Sequence, residues 1–380
     1  GMTRFARHPE RTLADLAREA ALAALADAGC DPAQIELAIV GNALGGIMTG
    51  QESVRGQVVL AGLGLRGVPI VNVDNACASS STALGVAVDA IRAGRAERVL
   101  VVGVEKMYDA DRSKTIAALA GAGAARTASG ADASTRSPFM EIYAERVRRY
   151  MSAWGLDASD LARVAAKNRG HAVHNPYAQY RAAVTVEDVL AAPMVAAPLT
   201  RLMCSPISDG AAAVVVMSER AAGAAARNVA VRASVLVSGT PDVDAENEDV
   251  VARAAALAYG QAGIEPRDVD VIEVHDAASS GELLAYAALG LCEVGDEARL
   301  VRGGGTTLGG AIPVNPSGGL QGRGNPSGAT GLAQIAELVW QLRGDAGNRA
   351  VAGARIALAE NAGGTVRDRT AAVCIHVLGA

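Results

Sequence analysis

Aromatic residues are scarce in this chain. Two Phe, two Trp and seven Tyr make up 3% of 380 residues, although half of the residues are apolar. A core without aromatic bulk must be built largely from Ala, Val and Leu, which suits helices packed closely on sheets. No run of about 18 apolar residues occurs, so no membrane-spanning helix is expected. Arg4, Arg7, His8 and Arg11 lead into no apolar stretch, so a secretory signal is not expected either. The opening Gly1-Met2 reads as a scar before a start methionine or as the remnant of a longer first strand. There is no C-x-x-C pair, and the five cysteines are odd in number and scattered. That speaks against a zinc site and a disulfide framework, and for a reducing cytoplasmic location. The net charge of −5 argues against nucleic acid and anionic membranes as partners.

What is present is an alternation of helical and strand patterns over a length too great for one simple core. Helices are predicted at Leu13 to Ala28, Ala78 to Arg95, Asp249 to Ala262, Gly281 to Leu289 and Ala329 to Leu342. Strands are predicted at Ile35 to Gly41, Pro69 to Val73, Val99 to Val104 and Ala211 to Met217 in the first part. In the second part they fall at Val229 to Ser238, Val269 to Val274, Ala354 to Ala359 and Thr370 to Val377. Most are apolar runs of the kind buried on both faces. In each part a tight turn of small residues leads into a long buried helix, which suggests a duplicated α/β unit. The expected division is 1–227 and 228–380, the first half carrying an irregular insertion at 105–204. Gly62, Gly64 and Gly67 spell G-x-G-x-x-G, but a strand rather than a helix follows, so they read as a turn and not a dinucleotide fingerprint.

Three motifs bear chemistry. In V-N-V-D-N-A-C-A-S-S-S-T-A-L, Cys77 stands where a strand runs into a helix. Unpaired N–H groups at a helix N-terminus favour an anion, so a lowered thiol pKa is expected there. On spacing alone, a packed core cysteine is the better reading. His275 follows the strand V-I-E-V, at the strand end where α/β folds place ligands. The run N-P-S-G-G-L-Q-G-R-G-N-P-S-G-A-T-G is too rich in glycine for a helix or strand interior, and Asn325 stands at its tip. A fourth element, E-N-A-G-G, ends a strand with Gly363 and Gly364, whose N–H groups could serve an oxyanion.

These motifs, together with K-N-R-G-H-A-V-H-N-P-Y-A-Q and C-S-P-I-S-D-G-A-A-A-V, resemble the thiolase superfamily along nearly the whole chain. The likeness is to sterol-carrier-protein-like thiolases and to the archaeal and bacterial acyl-CoA thiolases near them. The resemblance implies a layered α-β-α-β-α sandwich of two duplicated halves with an inserted loop domain. It implies a homodimer, and a CoA thioester as substrate with no tightly bound cofactor and no metal. His171 and His174 are thereby set aside as a metal pair. By position Cys77 matches the acyl-accepting nucleophile and His275 the histidine of an oxyanion hole. Cys77 N–H with Gly363 or Gly364 matches a second such hole.

The chain departs from the family at G-N-P, where Asn325 replaces the histidine of G-H-P. A second, proton-transferring cysteine is also missing, with Ala277 and Asn361 at the positions where relatives carry it. Cys77, His275 and Asn325 then resemble the Cys-His-Asn set of decarboxylating ketoacyl synthases. The leading expectation is an acyltransferase or carbon–carbon condensing enzyme. An ordinary 3-ketoacyl-CoA thiolase is the second. The third is a thiolase-like aldolase or non-catalytic subunit that needs a small partner with a zinc ribbon and an OB-fold. Arg148, Arg149, Lys167, Arg169 and Arg181 read as a solvated surface that could meet CoA phosphates.

Overall fold

Valine- and alanine-rich segments with no polar face form the centres of two sheets. The computed structural model describes residues 1–122, 138–223, 227–240, 249–366 and 369–380. Its strands are β1 (Leu37–Gly41), β2 (Ile70–Val73), β3 (Arg98–Glu105), β4 (Met194–Ala196), β5 (Leu199–Thr200), β6 (Gly210–Met217), β7 (Ala230–Ser238), β8 (Val271–Glu273), β9 (Ile356–Val366) and β10 (Arg369–Gly379). One sheet has the order β2-β1-β3-β6, the other β7-β10-β9-β8, and β4 with β5 makes a small hairpin.

Each sheet gains a fifth extended segment through isolated bridges. Met2 lies antiparallel to β6 at Ala212 and Ala6 to Asp209 just before it, and Val314 lies parallel to β8 at Ile272. Numbered along the chain within each half, both sheets then read third, second, fourth, fifth, first. The orientations agree as well. β1 is parallel to β2 and β3, while β3 and β6 are antiparallel. Likewise β8 is parallel to β9, while β9, β10 and β7 run antiparallel in turn.

Alternation along β3 shows the layering. Val99 and Val101 pack inward with Leu84, Leu332 and Ile335, while Leu100 and Val102 pack outward with Leu16 and Ala20. The helices Ser79–Arg92 and Thr330–Arg343 thus lie between the sheets. Leu13–Asp27 covers the outer face of the first sheet and Val250–Ala262 that of the second. The central layer is tight because its side chains are small. A Cβ on Gly331 would overlap the Ser81 hydroxyl, and the Leu332 N–H donates to Ser80 Oγ at 3.1 Å. Burying each Leu or Val of this layer contributes about 1.5–3 kcal/mol.

Two expectations need correction. The insertion is not irregular: it holds the helices Pro138–Trp154, Ala158–Ala172 and Val186–Ala191, with residues 123–137 outside the described set. Its helical period is masked in the sequence by buried polar residues, since Ala158–Ala172 buries Asp160, Asn168, Arg169 and His171 beside Leu161 and Val164. The second concerns E-N-A-G-G, which does not end a strand. Strand β9 runs through it, pairing Asn361 with Cys374 and Gly363 with Ala372. Glycine is tolerated there because a Cβ on Gly363 would overlap the Asn75 carbonyl.

Candidate active site

The strand–helix turn that carries Cys77 is held by its own residues. Asp74 Oδ1 accepts the Ala76 N–H at 3.0 Å, and Ser79 Oγ accepts the Asn75 N–H at 2.9 Å. Ser79 Oγ also donates to the Ala76 carbonyl at 2.6 Å. These bonds hold Ala76 in the left-handed region at φ 51°, a costly conformation for a residue with a Cβ. Cys77 follows, partly exposed, at the head of Ser79–Arg92.

The expected lowering of its pKa does not occur. Burial pushes the thiol up to about 11, Glu105 adds to this, and Ser327 pulls only partly the other way. Desolvation of the thiolate outweighs the helix terminus. The buried Glu105 carboxyl is itself raised to about 7 by burial, although it accepts the N–H groups of Ala43, Leu44 and Gly328.

His275 leaves β8 and is fixed on two sides. Its N–H donates to Glu360 Oε2 at 2.8 Å. Its Nδ1 lies 3.0 Å from Asn361 Nδ2, while Asn361 Oδ1 accepts the Ser81 hydroxyl at 3.0 Å. An amide nitrogen only donates, so Nδ1 is the acceptor and the proton sits on Nε2. Burial, assisted by Arg323, lowers the ring to about 4. The imidazole is therefore neutral near pH 7 and presents an N–H donor. Asn361, expected from the resemblance to stand where a proton-transferring cysteine would, is fully buried behind the histidine. The following Asp276 accepts from Asn168 Nδ2 at 2.9 Å and from Leu320 N–H at 2.6 Å, tying the insertion to the glycine-rich segment.

Asn325 is oriented in the same manner. Its Oδ1 accepts the Thr330 hydroxyl at 2.9 Å, its Nδ2 donates to Ser205 Oγ at 3.1 Å, and its N–H donates to Ser208 Oγ at 3.0 Å. Gly324, at φ 114°, permits the sharp approach. Its other amide hydrogen has no protein acceptor among the described residues.

Cys77, His275 and Asn325 all line one cavity of about 1100 Å³, together with Gly363, Gly364 and Ala277. Sequence reasoning missed two further groups there, Cys204 and Tyr143. Burial pushes the Cys204 thiol up to about 12, and it donates to the Thr200 carbonyl at 3.4 Å. Burial likewise raises the Tyr143 hydroxyl, with Arg146 opposing and the Cys77 thiol adding to it. The motif C-S-P-I-S was a signal for Cys204; nothing in the sequence marked Tyr143. The histidine pair of the insertion is structural on one side: His171 Nδ1 lies 3.0 Å from the Asn315 carbonyl, and its Nε2 accepts the Leu308 N–H at 3.1 Å. Lys167, read from sequence as surface, is buried against Glu282, and Arg169 is buried too. Among the described residues no group of three His, Cys, Asp or Glu is placed to hold a metal ion, and no helix is long and apolar enough to cross a membrane.

Comparison with known proteins places the chain in a family. The thiolase N-terminal domain matches residues 1–220 and the thiolase C-terminal domain-like family residues 237–376. An acetyl-CoA acetyltransferase of Methanothermobacter thermautotrophicus is 41% identical over 98% of this chain and 96% of its own. Human sterol carrier protein 2 is 39% identical over 96% of this chain and 68% of its own length. Among solved structures, the Ltp2-ChsH2(DUF35) aldolase superposes with a TM-score of 0.80 at 26% identity, covering 100% of this chain and 96% of that one.

Proposed function

Because this chain belongs to the thiolase family, we propose that this acyltransferase carries an acyl group on Cys77 and passes it on from an acyl-CoA or acyl-carrier donor. The observation that carries the reading is the shared cavity of Cys77, His275 and Asn325, in which His275 presents Nε2–H as a fixed donor. The Cys77 sulfur attacks the thioester carbonyl, the carbon–sulfur bond to CoA breaks, and the thiol proton ends on the departing CoA sulfur. The second step follows from what the other groups are near pH 7. His275 is neutral, Asn325 cannot take a proton, and Cys204 and Tyr143 stay protonated. All four suit an enolate made without proton abstraction, by loss of carbon dioxide, better than removal of an α-proton. Cys77 N–H with Gly363 or Gly364 N–H serves as the second oxyanion site, since Gly363 packs on the Asn75–Ala78 turn.

Intact-mass measurement after incubation with a panel of acyl-CoA donors tests the proposal. The expected result is one acyl adduct on the wild type that is absent from Cys77→Ala. No adduct from any donor, or an adduct that survives Cys77→Ala, sinks it.

The likeness to an aldolase solved with a DUF35 protein favours a second reading, retro-aldol cleavage that requires a small partner protein. In that case cleavage of a β-hydroxyacyl-CoA would persist in Cys77→Ala and depend on the partner. A homodimer through the outer edge of β2 completes the proposal. That strand has no neighbour on its far side among the described residues, and Val71 is exposed on it. A monomeric mass in solution would count against the dimer.

A further inference from the structure

We infer that Arg169, stacked on Tyr180, forms a subsite for a carboxylate carried by the acyl part of the substrate. The inference rests on the reading that the substrate is an acyl thioester bound in the cavity of Cys77.

Among the described residues three arginines are buried, and two of them are paired with a buried carboxylate. Arg323 is paired with Glu273 at 3.1 Å, and Arg349 with Glu337 at 2.8 Å. Arg169 is only 8% exposed, and among the described residues it has no carboxylate partner. Its Nε is buried without an acceptor, and its guanidinium carbon stands 4.4 Å from the centroid of the Tyr180 ring. A buried cation without a counter-charge is costly. The Tyr180 face and the C-terminal end of the Ala158–Ala172 helix offset part of that cost, but neither accepts a hydrogen bond from the guanidinium. What remains is a planar fork of donors at the wall of the cavity, the shape that pairs bidentately with a carboxylate.

Position separates this ligand from the phosphates of CoA. Arg7, Arg112 and Arg201 also line the cavity but are exposed, as suits groups that stay partly hydrated. Arg169 is buried instead, under a segment that runs beside the loop bearing Asn325. The Tyr180 N–H donates to the Gly322 carbonyl at 3.1 Å and the Gln179 N–H to the Arg323 carbonyl at 2.9 Å, so this segment runs beside the loop that ends in Asn325. Asn168, next to Arg169, holds Asp276, next to His275. An anionic group met there belongs to the part of the substrate that enters the reacting end.

Calorimetric binding to the Cys77→Ala protein tests this without any dependence on acylation. The probes are pentanoyl-CoA and hexanoyl-CoA against glutaryl-CoA and adipyl-CoA, which have the same chain lengths with a terminal carboxylate, and free CoA. At least one carboxylated thioester should bind about tenfold or more tightly than its uncharged counterpart. Adding Arg169→Met should erase that preference and move the affinities for hexanoyl-CoA and CoA by less than about twofold, while Arg169→Lys keeps part of it. Retained hexanoyl-CoA binding shows that the variant is folded. Equal binding of the two classes by the Cys77→Ala protein overturns the subsite whether or not any variant folds. A loss in Arg169→Met shared equally by CoA, uncharged and carboxylated thioesters assigns the arginine to a CoA phosphate and also overturns it. Failure of Cys77 to accept an acyl group would leave this binding result standing, so the two readings fail separately.

Discussion

The two halves of the molecule repeat one strand order, and each delivers to the cavity a connection that leads into its buried central helix, yet the two connections are held in different ways. The first, Asp74 to Ser79, is closed by its own side chains. The second, Gly324 to Thr330, has one internal tie, from the Thr330 hydroxyl, and is otherwise held from elsewhere in the chain: Ser205 and Ser208 grip Asn325, and Glu105 of the first sheet grips the Gly328 N–H. The difference teaches how a duplicated frame divides labour. A nucleophile needs a rigid local perch. A pair of donors that must face it across a cavity takes its position from the packing of both halves.

The sharpest division between the connections should appear in Cys77→Ala and Asn325→Ala. The first should abolish the acyl adduct altogether. The second should leave the adduct visible by mass and slow its onward transfer about 10²–10³-fold, the usual cost of one oxyanion donor. Equal loss of adduct in both variants would break the division. Asn361→Leu keeps the bulk near His275 but frees its tautomer, and should slow transfer about 10²-fold with the adduct again intact. An unchanged rate would remove Asn361 as a positioning residue.

Gly363→Ala presses on the first connection from behind. The new methyl meets the Asn75 carbonyl and Ala78, so a loss of about 2–3 kcal/mol is expected in denaturant unfolding. A slope with pH probes the nucleophile itself. The reactive form of Cys77 is the thiolate, and a thiol raised to about 11 gains thiolate almost tenfold with each pH unit. Acylation should therefore keep rising between about pH 6 and 9, with no inflexion from His275, whose ring titrates near 4. A plateau below about pH 8 would show that the helix terminus prevails over burial after all.

The same contrast explains what could be read in advance. The first connection was legible because its determinants are adjacent: a β-branched strand, small residues, and serines at the helix start. The duplicated order of buried helices was legible for the same reason. His275 and Asn325 were marked by their places in the sequence, but their roles came only through resemblance, since each depends on partners more than 80 residues away in Asn361 and Ser205. Arg169 was misread as surface because nothing near it in the chain reveals that the Tyr180 ring stacks on it. The insertion was misread because its helix turns polar residues inward, where Asp160 meets Arg302 through two bonds of 2.7 Å.

The amide of Asn361 has a consequence for anyone redesigning this protein. It decides which nitrogen of His275 carries hydrogen, and so whether the ring gives or takes a proton. Asn361→Asp would put a hydrogen-bond acceptor where a donor now stands, draw the proton to Nδ1, and turn a bare Nε2 toward the substrate. A change from donating histidine to abstracting histidine is thus encoded one shell behind the cavity, at a side chain that no substrate touches.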